Sequence, residues 1–196
     1  MSSNGAVCRL AIYPRFLRNE AFDSEALFAL GDLDSNGTKG FSVGDRDMLS
    51  SIEDVHGFGC RSAAVARANE RQRFVTKNNR EPIRFQETSH YRGFYDMDAD
   101  QVRSQGSSIY DVRIVPLEEN DEPAHCHVEL HVRNYVMKPS DVSIKRAISL
   151  ERIAILNRFA RTMSPPHMTV CGEDLDIAHQ IETITLPPPE AFYSEP

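Results

Sequence analysis

Ser108–Leu117, SIYDVRIVPL, and Ala124–Asn134, AHCHVELHVRN, are the stretches on which the reading of this chain turns. Both alternate. In the first, Tyr110, Val112 and Ile114 fall on one side, with Asp111 and Arg113 on the other. In the second, Cys126, Val128, Leu130 and Val132 alternate with His125, His127, Glu129, His131 and Arg133. Successive side chains of a strand point to opposite faces, so the pattern describes an antiparallel hairpin with one face on a core and one face wet. The acidic EENDEP joins the two strands. Charge then selects the register. One alignment sets Arg113 opposite Glu129 and Asp111 opposite His131. A slip of two residues sets Asp111 against Glu129. Cross-strand pairs contribute only ~0.2–1 kcal/mol each, but both favour the first alignment.

The histidine strand admits two kinds of chemistry. Residues two apart on a strand are ~6.6 Å apart at Cα, so His125 and His127 can hold one ion, with zinc the metal that suits them. A third ligand would come from His56, His90, His167, His179 or an acid within 118–122. His127 and His131 lie ~13 Å apart by the same rise, too far for one ion. The second is a histidine in proton transfer or phosphate binding, and beside both stands a polar face satisfied by its own ion pairs with no such role. Cys126 sits between two histidines in sequence, but alternation points it to the opposite face, away from a thiolate–imidazolium pair.

Around this hairpin the chain has 196 residues, 40% hydrophobic and 26% charged, an ordinary globular composition. The expectation is one α+β domain over 1–186, an antiparallel sheet with a long helix of the C-terminal half packed on one face, followed by a Pro-rich flexible tail over 187–196. AVCRLAIY reads as a first strand and RGFYDM as a later one. GDRDMLSSIEDVHGFG offers Asp45 as a helix cap and Gly57 or Gly59 as a stop, and RSAAVARANERQRFVTKN is rich in helix formers. PSDVSIKRAISLERIAILNRFARTM is the clearest helix, with Ser140 as its cap. Its buried side is expected to comprise Ile144, Ile148, Ile153, Leu156, Ala160 and Met163. DLDSNG, from Asp32, opens like a calcium-binding loop, but Lys39 and Val43 occupy positions that such a loop gives to an apolar residue and a bidentate glutamate.

The chain carries no GxGxxG after a strand, no GxxxxGK[ST] and no GxSxG, which disfavours dinucleotide, P-loop and serine-hydrolase chemistry. Cys8, Cys60, Cys126 and Cys171 stand far apart beside apolar residues and read as buried reduced thiols. Without a long apolar run or a signal peptide, the expected setting is the cytoplasm, with no membrane partner.

The net charge is −7, unevenly spread. Two basic stretches, Arg61–Arg80 and Arg133–Met163, interrupt an otherwise acidic chain. Such asymmetry points to a binding or accessory module that meets an acidic partner, whether nucleic acid, nucleotide or acidic protein, through basic helices. Its contact residues would be Arg61, Arg67, Arg71, Arg73, Lys145, Arg146 and Arg152. The alternative is a small hydrolase or nucleic-acid-modifying enzyme centred on His125 and His127, with Arg92 or Arg113 assisting. Oligomeric state is not legible.

Overall fold

A computed structural model describes residues 5–33, 38–81, 88–117, 122–133, 142–169, 171 and 185–193. The chain is α+β. The strands are β1 (Ala6–Tyr13), β2 (Leu17–Arg18), β3 (Ala21–Phe22), β4 (Gly31–Asp32), β5 (Lys39–Asp45), β6 (His90–Asp98), β7 (Tyr110–Pro116), β8 (His125–Val132) and β9 (His167–Met168). The helices are α1 (Ser24–Leu27), α2 (Ile52–Asn78), α3 (Ala99–Ser104) and α4 (Val142–Arg161). One antiparallel sheet runs β7-β8-β5-β1-β6-β9, with β4 added on β5, while β2 and β3 form a separate small ribbon.

The hairpin has the register that charge selects: Arg113 lies across from Glu129 and Asp111 across from His131. Cys126, Val128 and Leu130 are buried and the histidine face is half-buried. The side-chain bonds nevertheless run differently. Arg113 Nε donates to Asp111 Oδ2 at 2.8 Å, Arg133 Nη2 to Asp111 Oδ1 at 3.2 Å, and His131 Nε2 pairs with Glu129 Oε2 at 2.7 Å. On a solvated face, cross-strand pairs of ~0.2–1 kcal/mol give way cheaply to bonds between residues two apart on one strand or to a diagonal neighbour.

Strand β1 is apolar on both sides because both faces of the sheet are covered. Val7 and Ala11 join the cluster that includes Ile155, Phe159 and Leu130. Cys8, one residue on, joins Val55, Phe58 and Phe94 instead. Helices α4 and α2 therefore lie on opposite sides of the sheet.

Helix α2 is one 27-residue element and does not stop at either glycine. A Cβ on Gly59 would sit 2.2 Å from the Tyr91 ring, so this glycine is where the helix closes on β6. Ser51, not Asp45, caps it, in a capping box with Asp54 (3.0 and 3.1 Å). Asp45 ends β5 and accepts from Asp47 N at 2.8 Å. Gly93 has φ of 134° and lies where β9 crosses; a Cβ there would meet the His167 carbonyl oxygen at 2.0 Å.

On α4 the buried stripe is Ile155, Leu156, Phe159 and Ala160, with Met163 just beyond the helix. Ile148 and Ile153 are half-buried. The spacing i, i+1, i+4, i+5, i+8 is one continuous helical face, and a stripe drawn through every isoleucine drifts off it. Phe159 packs on Phe28 and Phe41, with centroids 5.9 and 5.6 Å away. Ser140, the side chain of Ile144, residues 34–37 of the calcium-like loop, and His179 lie outside the described residues. Asp32 forms an ion pair with Lys39.

Residues 187–193 do not hang free as a tail. Tyr95 donates its hydroxyl to the Pro187 carbonyl at 2.8 Å, and Phe192, in a 3-10 turn over Pro189–Phe192, is edge-on to Tyr95 and Phe22. Nor are all four cysteines reduced. Cys60 and Cys171 are bonded, tying α2 to the segment after β9, while Cys8 and Cys126 are free and buried. Burial pushes the Cys8 thiol up to about 12 and the Cys126 thiol to about 11, which removes both as nucleophiles at neutral pH.

Phe159→Ala should cost ~3–5 kcal/mol in denaturant unfolding. Ile153→Ala should cost clearly less, and equal losses would show that the core face of α4 is misassigned. Alkylation of the unfolded, unreduced protein should mark Cys8 and Cys126 only, with Cys60 and Cys171 reacting after reduction.

Candidate functional site

The ladder between β1 and β5 is short. Val7 pairs with Asp45 and Cys8 with Gly44; beyond that, among the described residues, β1 pairs only with β6 and β5 only with β8 and β4. The two strands diverge, and the sheet opens into a fork.

Arg9 is seated in that fork. Its Nε donates to the Leu27 carbonyl at 2.7 Å, Nη2 donates to the same oxygen, and Nη1 donates to the Ser42 carbonyl at 2.6 Å. The guanidinium also lies 5.3 Å from the centre of the Phe41 ring. Burial, with Arg15 close by, pulls its pKa down to about 10, so it stays charged at neutral pH. Its described partners are neutral oxygens and a ring, and no carboxylate is among them.

A groove of about 1360 Å³ opens over the fork, between α2 and the sheet. Helix α2 contributes Arg61, Val65, Asn69 and Arg73 to one wall. The interval from Arg61 to Arg73 is about 18 Å of helix. Strand β8 contributes His125 and His127, and Arg15 follows β1 at the rim. Among the described residues, four arginines and one carboxylate, Glu122, line the groove. Arg61 grips Glu122 through Nε and, at 3.1 Å, through Nη2, and this bond raises the arginine's pKa further. Arg15 and Arg73 are exposed and make no ion pair among the described residues.

The sequence-derived sets divide sharply. His125 and His127 do lie together in the concavity, their ring centroids 5.5 Å apart and Phe58 6.2 Å from His125. Arg113 is on the edge strand, bonded to Asp111, and does not line the groove. Arg92 is buried on β6, three strands from β8, or ~14 Å by strand spacing, and is not beside the histidines. Of the basic set, Arg61 and Arg73 line the groove. Arg67 is buried and donates to the Ser89 carbonyl at 3.2 Å, a structural use. Arg71 pairs with Glu81 at 3.4 Å. Lys145, Arg146 and Arg152 belong to α4, on the far side of the sheet, and cannot share a surface with α2. The two basic stretches form separate faces because the sheet stands between them.

No third histidine joins the pair, and no group of three or more His, Cys, Asp or Glu side chains able to hold a metal occurs among the described residues. His56 and His167 gather instead around Phe94. His56 Nδ1 meets the Tyr91 hydroxyl at 3.0 Å; His167 stacks on Phe94 at 4.6 Å and lies 3.6 Å from Asp96. Arg46 covers Phe94 and pairs with Asp96 at 3.0 Å. Sequence reasoning missed Arg9 and Arg15. The visible signal was a charged residue inside an otherwise apolar strand, AVCRLAIY.

Comparison with protein-family models, with curated proteins and with solved structures finds no match. Among the described residues, no helix is long and apolar enough to cross a membrane.

Burial, and the nearby charge of His167, lower the pKa of His56, with Glu53 opposing. Its neutral form is favoured in the fold, so this contribution is complete above the unfolded value of ~6.5 and is lost as pH falls through the folded pKa. The urea midpoint should therefore drop between about pH 7.5 and about pH 5, and drop less in His56→Gln. Identical drops would assign the acid sensitivity to other groups.

Proposed function

We propose that this protein is a binding module whose partner is anionic and is received in the groove between α2 and the sheet. The observation that carries this reading is the convergence of Arg9, Arg15, Arg61 and Arg73 on one concavity, where Glu122 is the only lining carboxylate among the described residues. Cations facing a confined, low-dielectric space attract an anion more strongly than the same cations spread over a surface. Guanidinium groups add paired donors suited to carboxylate and phosphate oxygens. A concave site of this size suits a small molecule or a single extended segment better than a duplex.

A second reading has one specific support. His125 and His127 share the groove with the Arg61–Glu122 pair, a placement that general acid–base chemistry on a bound anion would need. Under this reading the groove is the binding half of a hydrolase, and Arg92 and Arg113 take no part.

Binding of pyrophosphate, ATP, a labelled single strand and the anionic dye anilinonaphthalene sulfonate should be measured at about 50 and 200 mM salt. At least one should bind, more weakly at high salt. Arg15→Ala and Arg73→Ala should each weaken it by roughly tenfold, the loss of one charge-assisted contact. Lys145→Ala and Arg146→Ala, beyond the sheet, should leave it unchanged. Absence of binding by all four, or an equal effect of the α4 variants, would sink the proposal. Hydrolysis of a bound phosphate ester, abolished by His127→Ala with binding retained, would establish the enzymatic reading.

A further inference from the structure

The arginines account for part of the groove. Much of the remaining wall is aliphatic or aromatic. Leu10 and Ile12 of β1 enter it from the sheet, and Leu33 and Val65 from the rim, with Phe16, Leu27 and Phe41 deeper in the fork. Val65 is 60% exposed, on a helix whose other outward positions are largely charged or small. A polyanion or a nucleotide phosphate would satisfy the rim and leave this surface wet. Apolar surface of this kind stabilises a complex only when something apolar covers it.

The fork has room for a chain. Gly31 of β4 pairs with Gly40 of β5, so that part of the wall has no side chains. A Cβ on Gly40 would strike Leu33 Cδ1 at 2.6 Å and the Val128 carbonyl at 2.9 Å, whereas one on Gly31 would meet, among the described residues, the Gly40 carbonyl oxygen at an ordinary contact distance of 3.9 Å. Arg9 keeps a positive charge at the point where the strands separate, next to Arg15. The groove therefore combines an apolar channel with cations, Arg9 within the fork and Arg15, Arg61 and Arg73 around it.

From this combination we infer that the ligand is a single-tailed anionic amphiphile, an aliphatic chain carrying a carboxylate or phosphate head, with the chain in the β1–β5 fork and the head among the arginines. The inference rests on the anion-binding reading and adds a tail to it.

The test separates tail from head by displacement of anilinonaphthalene sulfonate from the full-length protein. The competitors are acetate, octanoate, dodecanoate, dodecyl phosphate and dodecanol, each below its aggregation limit. Affinity should rise roughly two- to fourfold per methylene from octanoate to dodecanoate. Dodecanol should bind roughly tenfold or more weakly than dodecanoate, and dodecyl phosphate beside dodecanoate identifies the preferred head. Arg15→Ala and Arg73→Ala should weaken every anion by a similar factor and leave the chain-length slope intact. Gly31→Leu, which fills the channel without backbone strain, and Leu33→Ser should flatten the slope and leave pyrophosphate binding unaltered. If anions bind in an arginine-dependent way with no effect of chain length, the tail is wrong and the anion site survives. If dodecanol matches dodecanoate, the head is wrong. If no anion binds, both readings fall.

Discussion

Arg9 holds together a sheet that would otherwise be joined at its centre by two registered residue pairs. On one side of β1 lies the β7-β8-β5 half, on the other β6 and β9. After Cys8 and Gly44 the central ladder ends, and the guanidinium takes over, reaching the Ser42 carbonyl on β5 and the Leu27 carbonyl at the end of α1. A half-buried charge is costly unless its donors are used, and here three of its N–H groups are. The Ser42 and Leu27 carbonyls thereby receive charge-assisted bonds. The same residue thus closes the fold and leaves a cavity beside it.

That geometry explains why the groove sits where it does. Helix α2 spans the opening, fixed at Gly59 against Tyr91 and at Cys60 to Cys171. Its other face is free to line the groove, and the helix twist brings Arg61, Val65, Asn69 and Arg73 to one side. Strand β8 supplies His125 and His127 because its opposite face is committed to the core through Cys126, Val128 and Leu130. The cationic character of the groove is a consequence of placement, since the chain as a whole carries −7.

Local regularities were legible without coordinates. Alternation located the hairpin and its core face, and two opposite-charge pairs were enough to choose its register, although not to choose which oxygen each arginine would grip. The helix of PSDVSIKRAISLERIAILNRFARTM was legible as well. Its phase was not, because Ile153 and Ile155 are equally hydrophobic, and the packing of Phe159, one turn beyond Ile155, on Phe28 and Phe41 decides which of them turns inward. Gly57 and Gly59 read as a stop, since glycine weakens an isolated helix. Here Tyr91 rewards the missing Cβ, and the helix continues.

The sequence by itself determined the α+β class, the wet and dry faces of β8, and the clustering of positive charge in two stretches. These depend on residues close together in the chain, where strand and helix periods act directly. Only the tertiary structure decided that the basic stretches lie on opposite sides of the sheet, that Arg61 and Arg73 converge with Arg9 and Arg15, that Cys60 meets Cys171, and that residues 187–193 dock on Tyr95. Each of these joins residues far apart in the chain. Such contacts form because three layers must cover both faces of one sheet, a constraint that no local window of sequence contains.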